Sequence, residues 1–292
     1  MNKPLEMLRL MRPKHWVKNL FVFAGLFFGH ALGDVALVWR VVAAAIGFSL
    51  VSSAIYILND IADREADRQH ALKRERPLAK GTVSLSVATV LGLLLGLAGG
   101  LAGYYASPLV AALLAIYAVM NIAYSFGLKR VVILDVFIIA AGFMLRLLAG
   151  TSGVGIPPSQ WLLLCGLMLT LFLGFVKRRA ELGVEADTDK DMQRKVLRYY
   201  SPALLDSLIT VTATCIILSY SLYTLSPETI ALHHTAWLML TVPFVIFGVF
   251  RYLFLLHYHQ QGEDTASEAM RDPQLAITVL LWLATTVCLI AR

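Results

Sequence analysis

Charged residues are scarce in this chain of 292 residues. Asp, Glu, Lys and Arg together make up 15% of it, whereas hydrophobic residues make up 58% and the mean hydropathy is +0.71. A soluble domain carries far more polar residues than this. The composition therefore excludes a soluble protein and indicates an all-α polytopic membrane protein.

Cysteine is also rare, and no zinc-binding pattern is present. Cys165, Cys215 and Cys288 lie in apolar segments without metal-ligand spacing, so we predict small apolar residues and no disulfide. The seven His residues form no H-E-x-x-H or similar zinc motif. The pI of 9.3 comes with no nucleic-acid motif or separate basic domain, and we expect no nucleic-acid partner.

Apolar segments long enough to cross a membrane fill most of the chain, since a crossing takes about 20 residues. We predict one integral-membrane domain over residues 1–292 with about nine transmembrane helices. The predicted spans are 17–33, 37–58, 85–103, 108–126, 131–150, 160–176, 203–224, 236–256 and 274–291.

Three longer polar loops are predicted on one side of the membrane, near residues 60–84, 177–200 and 258–273. Most of the 25 Lys and Arg residues fall on this side, together with the N-terminus. Because positively charged loops stay in the cytoplasm, we predict a multi-pass protein of the inner (plasma) membrane whose N-terminus and active-site loops are cytoplasmic. The first two loops lie four spans apart, which suggests a diverged internal repeat. The sequence does not define the oligomeric state.

The most informative pattern is an acidic row at the end of the second predicted span. On a continuous helix, Asp60, Asp63 and Asp67 share one face within an arc of about 60°. Such hard oxygen ligands suit Mg²⁺, which proteins usually hold with one or two carboxylates plus substrate phosphates. With the basic residues Lys73, Arg74 and Arg76 that follow, the row predicts a diphosphate ligand. The alternative is a solvated helix end of mixed charge.

The motif Asn59, Asp60, Asp63 and Asp67 reads N-D-x-x-D-x-x-x-D and resembles the first aspartate-rich motif of the UbiA superfamily of intramembrane prenyltransferases. Further segments are similar to the decaprenyl-phosphate phosphoribosyltransferase branch, namely residues 12–19, 67–81, 124–129, 146–150 and 177–182. The resemblance covers nearly the whole chain and implies a UbiA-like helical fold around a central cavity.

The resemblance implies a Mg²⁺-dependent transferase. The phosphoribosyltransferase branch moves 5-phosphoribose from phosphoribosyl diphosphate to a polyprenyl (decaprenyl-type) phosphate, releases diphosphate and serves cell-envelope glycan precursor synthesis in cell wall biogenesis. The alternative is a UbiA-type aromatic prenyltransferase of a quinone or haem pathway, with a polyprenyl diphosphate donor. A carrier for a phosphorylated solute is a third reading, because intramembrane charges also mark transport paths.

The second motif of typical aromatic prenyltransferases, D-x-x-x-D, is imperfect here. Lys177, Arg178 and Glu181 stand where it would begin, while Asp187 and Asp191 offer the spacing slightly later. This departure tells against a standard aromatic prenyltransferase, although that alternative stays open.

A departing diphosphate needs its negative charge stabilised, which assigns roles to the acidic and basic residues. We expect Asp60, Asp63 and Asp67 to be the metal-binding and catalytic residues. Expected substrate-binding residues are Asn59, Lys14, Lys18, Arg64, Lys73, Arg74, Arg76, Tyr124, Lys129, Lys177, Arg178 and Glu181. For the basic ones, the alternative is the positive charge that flanks the inner ends of most membrane helices. Arg146, inside a predicted span, either snorkels outward or has a structural or lipid-site role.

Overall fold

The computed structural model describes residues 3–70, 73–184, 195–259 and 272–290, and all regular secondary structure in these ranges is helical. The α-helices are α1 (Lys3–Met11), α2 (Ala24–Phe28), α3 (Val35–Ala62), α4 (Arg64–Gln69), α5 (Pro77–Lys80), α6 (Leu85–Ala106), α7 (Pro108–Phe126), α8 (Leu134–Ala149), α9 (Gln160–Val184), α10 (Pro202–Leu225), α11 (Pro227–His233), α12 (Val242–His259) and α13 (Pro273–Ile290). Short 3-10 helices lie between them.

Eight helical segments among the described residues are long and apolar enough to cross a membrane. They are Val35–Ala62, Leu85–Ala106, Pro108–Phe126, Leu134–Val154, Gln160–Leu182, Pro202–Leu225, Trp237–His257 and Pro273–Ile290. Each corresponds to a predicted span, so the all-α polytopic architecture is confirmed.

The remaining predicted span, residues 17–33, is not one long α-helix. The chain forms a 3-10 helix over Pro13–Phe23 and then the short α2. Polar side chains of the 3-10 helix bond to α3: Trp16 Nε1 lies 3.1 Å from Ser53 Oγ, and Asn19 Nδ2 lies 2.8 Å from Ser49 Oγ. The count of nine was therefore approximate, because hydropathy does not distinguish the two helix types.

The predicted loop at 60–84 is largely helical, since it contains α4, a 3-10 helix over Lys73–Glu75 and α5. Pro77 starts α5 at a position where its missing N–H costs nothing, and Gly81 ends it with a positive φ of 78°. The loop predicted from residue 177 begins later, because α9 continues to Val184. Residues 185–194, with Asp187 and Asp191, and residues 260–271 lie outside the described ranges.

The chain divides into two compact units. The first comprises Met1–Phe126 and Leu145–Pro157, and its core is built around α3, with Val41, Ala44 and Phe48 fully buried. The second comprises Gly127–Met144 and Pro158–Arg292. Its core joins α8, α9 and α10 through side chains such as Val136, Val176 and Leu205. That residues 1–292 form a single domain stays a prediction.

Glycine lets two backbones touch inside the first unit. A methyl group on Gly150 would overlap the carbonyl oxygen of Val22, and one on Gly25 would overlap the carbonyl oxygen of Gly150. Small residues permit such close approach between segments in membranes, where apolar burial alone gives little preference for protein over lipid. Gly25 and Gly150 therefore fix how closely the N-terminal segment follows the end of α8.

Gly150→Ala is expected to lower the free energy of unfolding by about 2 kcal/mol or more, because the added methyl meets backbone that has no rotamer with which to avoid it. Thermal unfolding of the detergent-solubilised protein measures the effect. Gly100→Ala in α6 is the matched control, because nothing lies within 4 Å of the added methyl. Equal stability of the two variants would contradict the close approach.

Candidate functional site

Two buried carboxylates at the end of α3 share one cationic nitrogen. Asp60, the third residue from the end of α3, and Asp67 in α4 are each 3% exposed. Arg76 Nη1 lies 3.1 Å from Asp60 Oδ1 and 2.7 Å from Asp67 Oδ2. Two of the predicted metal ligands and one predicted phosphate-binding residue therefore meet at a single point.

A second guanidinium reaches Asp60 from the N-terminal segment. Arg12 Nη2 lies 2.5 Å from Asp60 Oδ1, and the guanidinium carbon lies 4.9 Å from the centre of the Tyr56 ring. Arg12 has a positive φ of 52° directly before Pro13, a backbone conformation that L-residues rarely adopt. Arg12 was not among the predicted site residues, although it begins an N-terminal segment that is similar to the phosphoribosyltransferase branch.

The continuous helix assumed for the acidic row was wrong. α3 ends at Ala62, and Asp63 lies between α3 and α4 with an exposed side chain. Asn59, half-buried, accepts the backbone N–H of Asp63 on its carbonyl oxygen at 2.9 Å. Asp60 and Asp67 still converge, because Arg76 at the start of α5 bonds to both.

The oxygen donors at this point fit a divalent cation by their chemistry. Asp60 and Asp67 place two carboxylates around the Arg76 nitrogen, and proteins usually hold Mg²⁺ with one or two carboxylates plus substrate phosphates. Asp63, three residues after Asp60 in the sequence, carries an exposed carboxylate. Over the described residues, no group of three His, Cys, Asp or Glu side chains is close enough to form a complete protein ligand set. Phosphate oxygens would have to complete the coordination, as is usual for Mg²⁺.

The other basic residues predicted near the motif differ in accessibility. Lys73 and Arg74 in the 3-10 helix Lys73–Glu75 are exposed, and so are Lys14 and Lys18 in Pro13–Phe23. Arg64 instead donates from Nε to the carbonyl oxygen of Leu78 at 3.3 Å, which ties α4 to α5. The exposed side chains are thus accessible to a phosphorylated ligand, whereas Arg64 also has a structural contact.

The second unit contains a separate buried ion pair. Arg178 is 1% exposed, and its Nε lies 2.7 Å from Asp135 Oδ2 while its Nη1 lies 2.7 Å from Glu181 Oε2. The Tyr200 hydroxyl donates to Asp135 Oδ1 at 2.8 Å. Two predicted substrate-binding residues, Arg178 and Glu181, therefore bond to each other, and Tyr200 was not predicted as part of this group.

Tyr200 also fixes the start of α8. Burial raises the pKa of the Tyr200 phenol above its usual value, so it stays a neutral donor to Asp135. Its oxygen accepts the backbone N–H of Ile133 at 2.7 Å. Ile133 has a positive φ of 68°, which is strained for a β-branched residue. The network holds this strained turn beside Asp135.

The remaining predicted residues are placed as follows. Lys177 is exposed on α9, next to Arg178. Lys129 is half-buried in the 3-10 helix Leu128–Arg130, and Tyr124 is half-buried near the end of α7. Lys177 and Lys129 belong to the second unit, whereas Tyr124 belongs to the first with the acidic pair. Their binding roles stay predictions.

Arg146 does not snorkel, because only 5% of it is exposed. Its Nε donates to Asn19 Oδ1 at 2.7 Å, and its Nη2 donates to the Tyr117 hydroxyl at 2.8 Å. The guanidinium also faces the Tyr117 and Phe48 rings, at 4.5 and 5.4 Å from their centres. Sequence reasoning could not identify these partners, which come from distant parts of the chain.

Several proteins with similar sequences carry the same name. The chain is 34% identical to the decaprenyl-phosphate phosphoribosyltransferase of Mycolicibacterium smegmatis, over 96% of its own length and 90% of that protein's. It is 32% identical to the Corynebacterium glutamicum protein of the same name, over 94% of this chain and 84% of that one.

A solved structure has the same fold at low sequence identity. A UbiA homologue from Archaeoglobus fulgidus, bound to GPP and Mg²⁺, superposes with a TM-score of 0.72 at 16% identity, covering 98% of this chain and all of that one. The model of the UbiA prenyltransferase family matches residues 19–289. The helical membrane architecture, the acidic motif and these matches together show that the chain belongs to the UbiA prenyltransferase family.

Proposed function

We propose that this chain transfers 5-phosphoribose from phosphoribosyl diphosphate to a polyprenyl phosphate of decaprenyl type and releases diphosphate. The relatives that match almost end to end carry the name of this activity. The proposal places the enzyme in the synthesis of a cell-envelope glycan precursor, with phosphoribosyl diphosphate and a membrane lipid as its two substrates.

The observation that carries the proposal is the convergence of Asp60, Asp67, Arg12 and Arg76 at one point. Carboxylates provide ligands for a divalent cation, whereas guanidinium groups bind phosphate oxygens through paired N–H donors. A site with both groups suits a metal-bound diphosphate. Without the guanidinium groups, the two carboxylates would repel the negatively charged phosphate groups of this ligand.

The reaction breaks the bond between the anomeric carbon of ribose and the diphosphate oxygen, which leaves with the electron pair. An oxygen of the lipid phosphate forms the new bond to that carbon. Because the lipid phosphate is already an anion at neutral pH, no strong general base is needed. The protein's task is to position two anionic substrates and to offset their repulsion.

We assign the charge-stabilising role to the first unit. Asp60, Asp67 and the exposed Asp63 would hold Mg²⁺, with Asn59 beside them. When bound, Mg²⁺ acts as a Lewis acid on the leaving diphosphate. Arg76 and Arg12 would bind phosphate oxygens as the carboxylates turn to the metal, and the exposed Lys73 and Arg74 would add positive charge nearby.

We assign the exposed Lys177 and the half-buried Lys129 of the second unit to substrate binding as well. Arg178 and Glu181 would then act by positioning, because Arg178 is committed to Asp135 at 2.7 Å. The basic residues around both groups favour the cytoplasmic face of the plasma membrane, where phosphoribosyl diphosphate would be accessible.

The function is tested by offering both donor types to the purified protein. Phosphoribosyl diphosphate with polyprenyl phosphate is expected to give a lipid-linked phosphoribose, and chelation of divalent cations with EDTA is expected to abolish it. A parallel reaction contains a polyprenyl diphosphate and an aromatic acid. Mass spectrometry of the extracted lipids identifies the product. A prenylated aromatic product, with no phosphoribosyl lipid, would select the aromatic prenyltransferase instead.

Asp63→Asn is expected to lower kcat by about 100-fold or more, since loss of one charge-stabilising group typically has an effect of this size. The unfolding temperature should stay unchanged, because the side chain is exposed. Glu65→Gln is the matched control: Glu65 is an exposed carboxylate on α4 whose described ion pair is with Arg68. Wild-type turnover in Asp63→Asn would remove Asp63 from the metal site.

Arg76→Gln is expected to lower kcat/KM for phosphoribosyl diphosphate by about 10- to 100-fold, or roughly 1.4–2.7 kcal/mol of transition-state stabilisation. It should also increase the thermal stabilisation that Mg²⁺ gives, because Asp60 and Asp67 lose the cation they share. Arg68→Gln on α4 is the control, because Arg68 is 42% exposed and its contacts, with Glu65 and with the carbonyl oxygen of Ala79 at 3.3 Å, involve neither Asp60 nor Asp67. Activity equal to that control would show that Arg76 does not contact substrate.

A further inference from the structure

A row of serine hydroxyls on α3 holds the N-terminal 3-10 helix. Ser49 and Ser53 lie four residues apart on one face of α3. They accept hydrogen bonds from Asn19 Nδ2 at 2.8 Å and Trp16 Nε1 at 3.1 Å. Ser53 also donates to the backbone oxygen of Met11 at 2.8 Å. The segment is therefore attached to α3 at three points between Met11 and Asn19.

Arg146 restrains the attachment point at Asn19. Its Nε donates to Asn19 Oδ1 at 2.7 Å, while its Nη2 donates to Tyr117 at 2.8 Å and to Ser52 at 3.3 Å. The Asn19 side chain, 3% exposed, thus has both ends of its amide engaged. Only a planar guanidinium can direct separate N–H groups at partners on the N-terminal segment, α3 and α7 together.

The other end of the same segment enters the acidic site. Met11, bonded to Ser53, directly precedes Arg12, which has a positive φ and whose guanidinium contacts Asp60. A residue in this conformation keeps it only where its neighbours are held in place. The attachments at Met11, Trp16 and Asn19 provide that restraint.

We infer that Arg146 is a positioning residue for the phosphoribosyl diphosphate site: by holding Asn19 it sets the N-terminal 3-10 helix along α3 and so keeps Arg12 on Asp60. The inference rests on the proposed function for the identity of the ligand. Its structural part, the restraint of residues 12–23 by Arg146, does not depend on it.

Arg146 acts through the segment and does not itself contact the diphosphate. Ser49, the partner of Asn19, precedes Asp60 by eleven residues on α3, or about 16 Å of helix. Arg146 is buried among Asn19, Tyr117 and Phe48, with 5% of it exposed. Its removal should therefore change the binding of the soluble substrate without removing any group that touches it.

The structural part is tested by amide hydrogen exchange on the full-length protein in detergent. In Arg146→Met, exchange over residues 12–23 is expected to accelerate at least fivefold, while exchange over α10 in the second unit stays unchanged. Arg146→Lys keeps the charge and should give an intermediate acceleration, and it decides the question if the Met variant does not fold. Arg40→Met, at an exposed arginine of α3, is the matched control. Unchanged exchange over residues 12–23 in both variants, or equal acceleration over α10, would overturn the inference.

The functional part is tested by steady-state kinetics of the same variants. Arg146→Met is expected to raise KM for phosphoribosyl diphosphate at least fivefold, with kcat and KM for polyprenyl phosphate within twofold of wild type. Arg146→Lys should recover part of the loss. A fall in kcat with both KM values unchanged would overturn the positioning role. If the wild-type protein makes no phosphoribosyl lipid, the proposed function fails, while hydrogen exchange still decides whether Arg146 restrains the segment.

Discussion

One arginine nitrogen placed between two buried carboxylates is the interaction on which the acidic site depends. Without Arg76, Asp60 would keep only Arg12 and Asp67 would lose its described ion-pair partner, in a buried position at the end of a membrane-spanning helix where unpaired charge is expensive. With it, α3, α4 and the start of α5 meet at one point. In the proposed function, a divalent cation would replace the guanidinium between the carboxylates and release it to bind a phosphate.

The second unit also pairs a buried carboxylate with an arginine, but these charged groups are less accessible. Arg178 and Asp135 are both buried, Glu181 also bonds to Arg178, and Tyr200 also donates to Asp135. Removing one member of such a pair typically costs about 3–5 kcal/mol. This network therefore has a structural task whatever its neighbour Lys177 binds. Arg76, the partner of Asp60 and Asp67, has a side chain that is 30% exposed. The ion pair at Arg76 is therefore more accessible to a ligand than the buried pair of Arg178 and Asp135.

The sequence allowed prediction of the parts of the molecule that depend on local pattern. Hydropathy located eight membrane-spanning helices, and carboxylate spacing predicted that Asp60 and Asp67 lie close together. What it could not supply were partners far apart in the chain: Arg12 lies 48 residues from Asp60, and Asp135 lies 43 from Arg178. The break at Asp63 was also missed, because helical periodicity assumes that the helix continues.

The 3-10 winding of Pro13–Phe23 has a consequence for its alignment with α3. Three residues of a 3-10 helix rise about 6.0 Å, as do four residues of an α-helix. Trp16 and Asn19 are three apart, and their partners Ser53 and Ser49 are four apart. The two helices thus share a common axial repeat over these two contacts. In an α-helix of the same sequence, the axial spacing of Trp16 and Asn19 would not match that of Ser53 and Ser49. The 3-10 conformation is therefore what allows both hydrogen bonds to form.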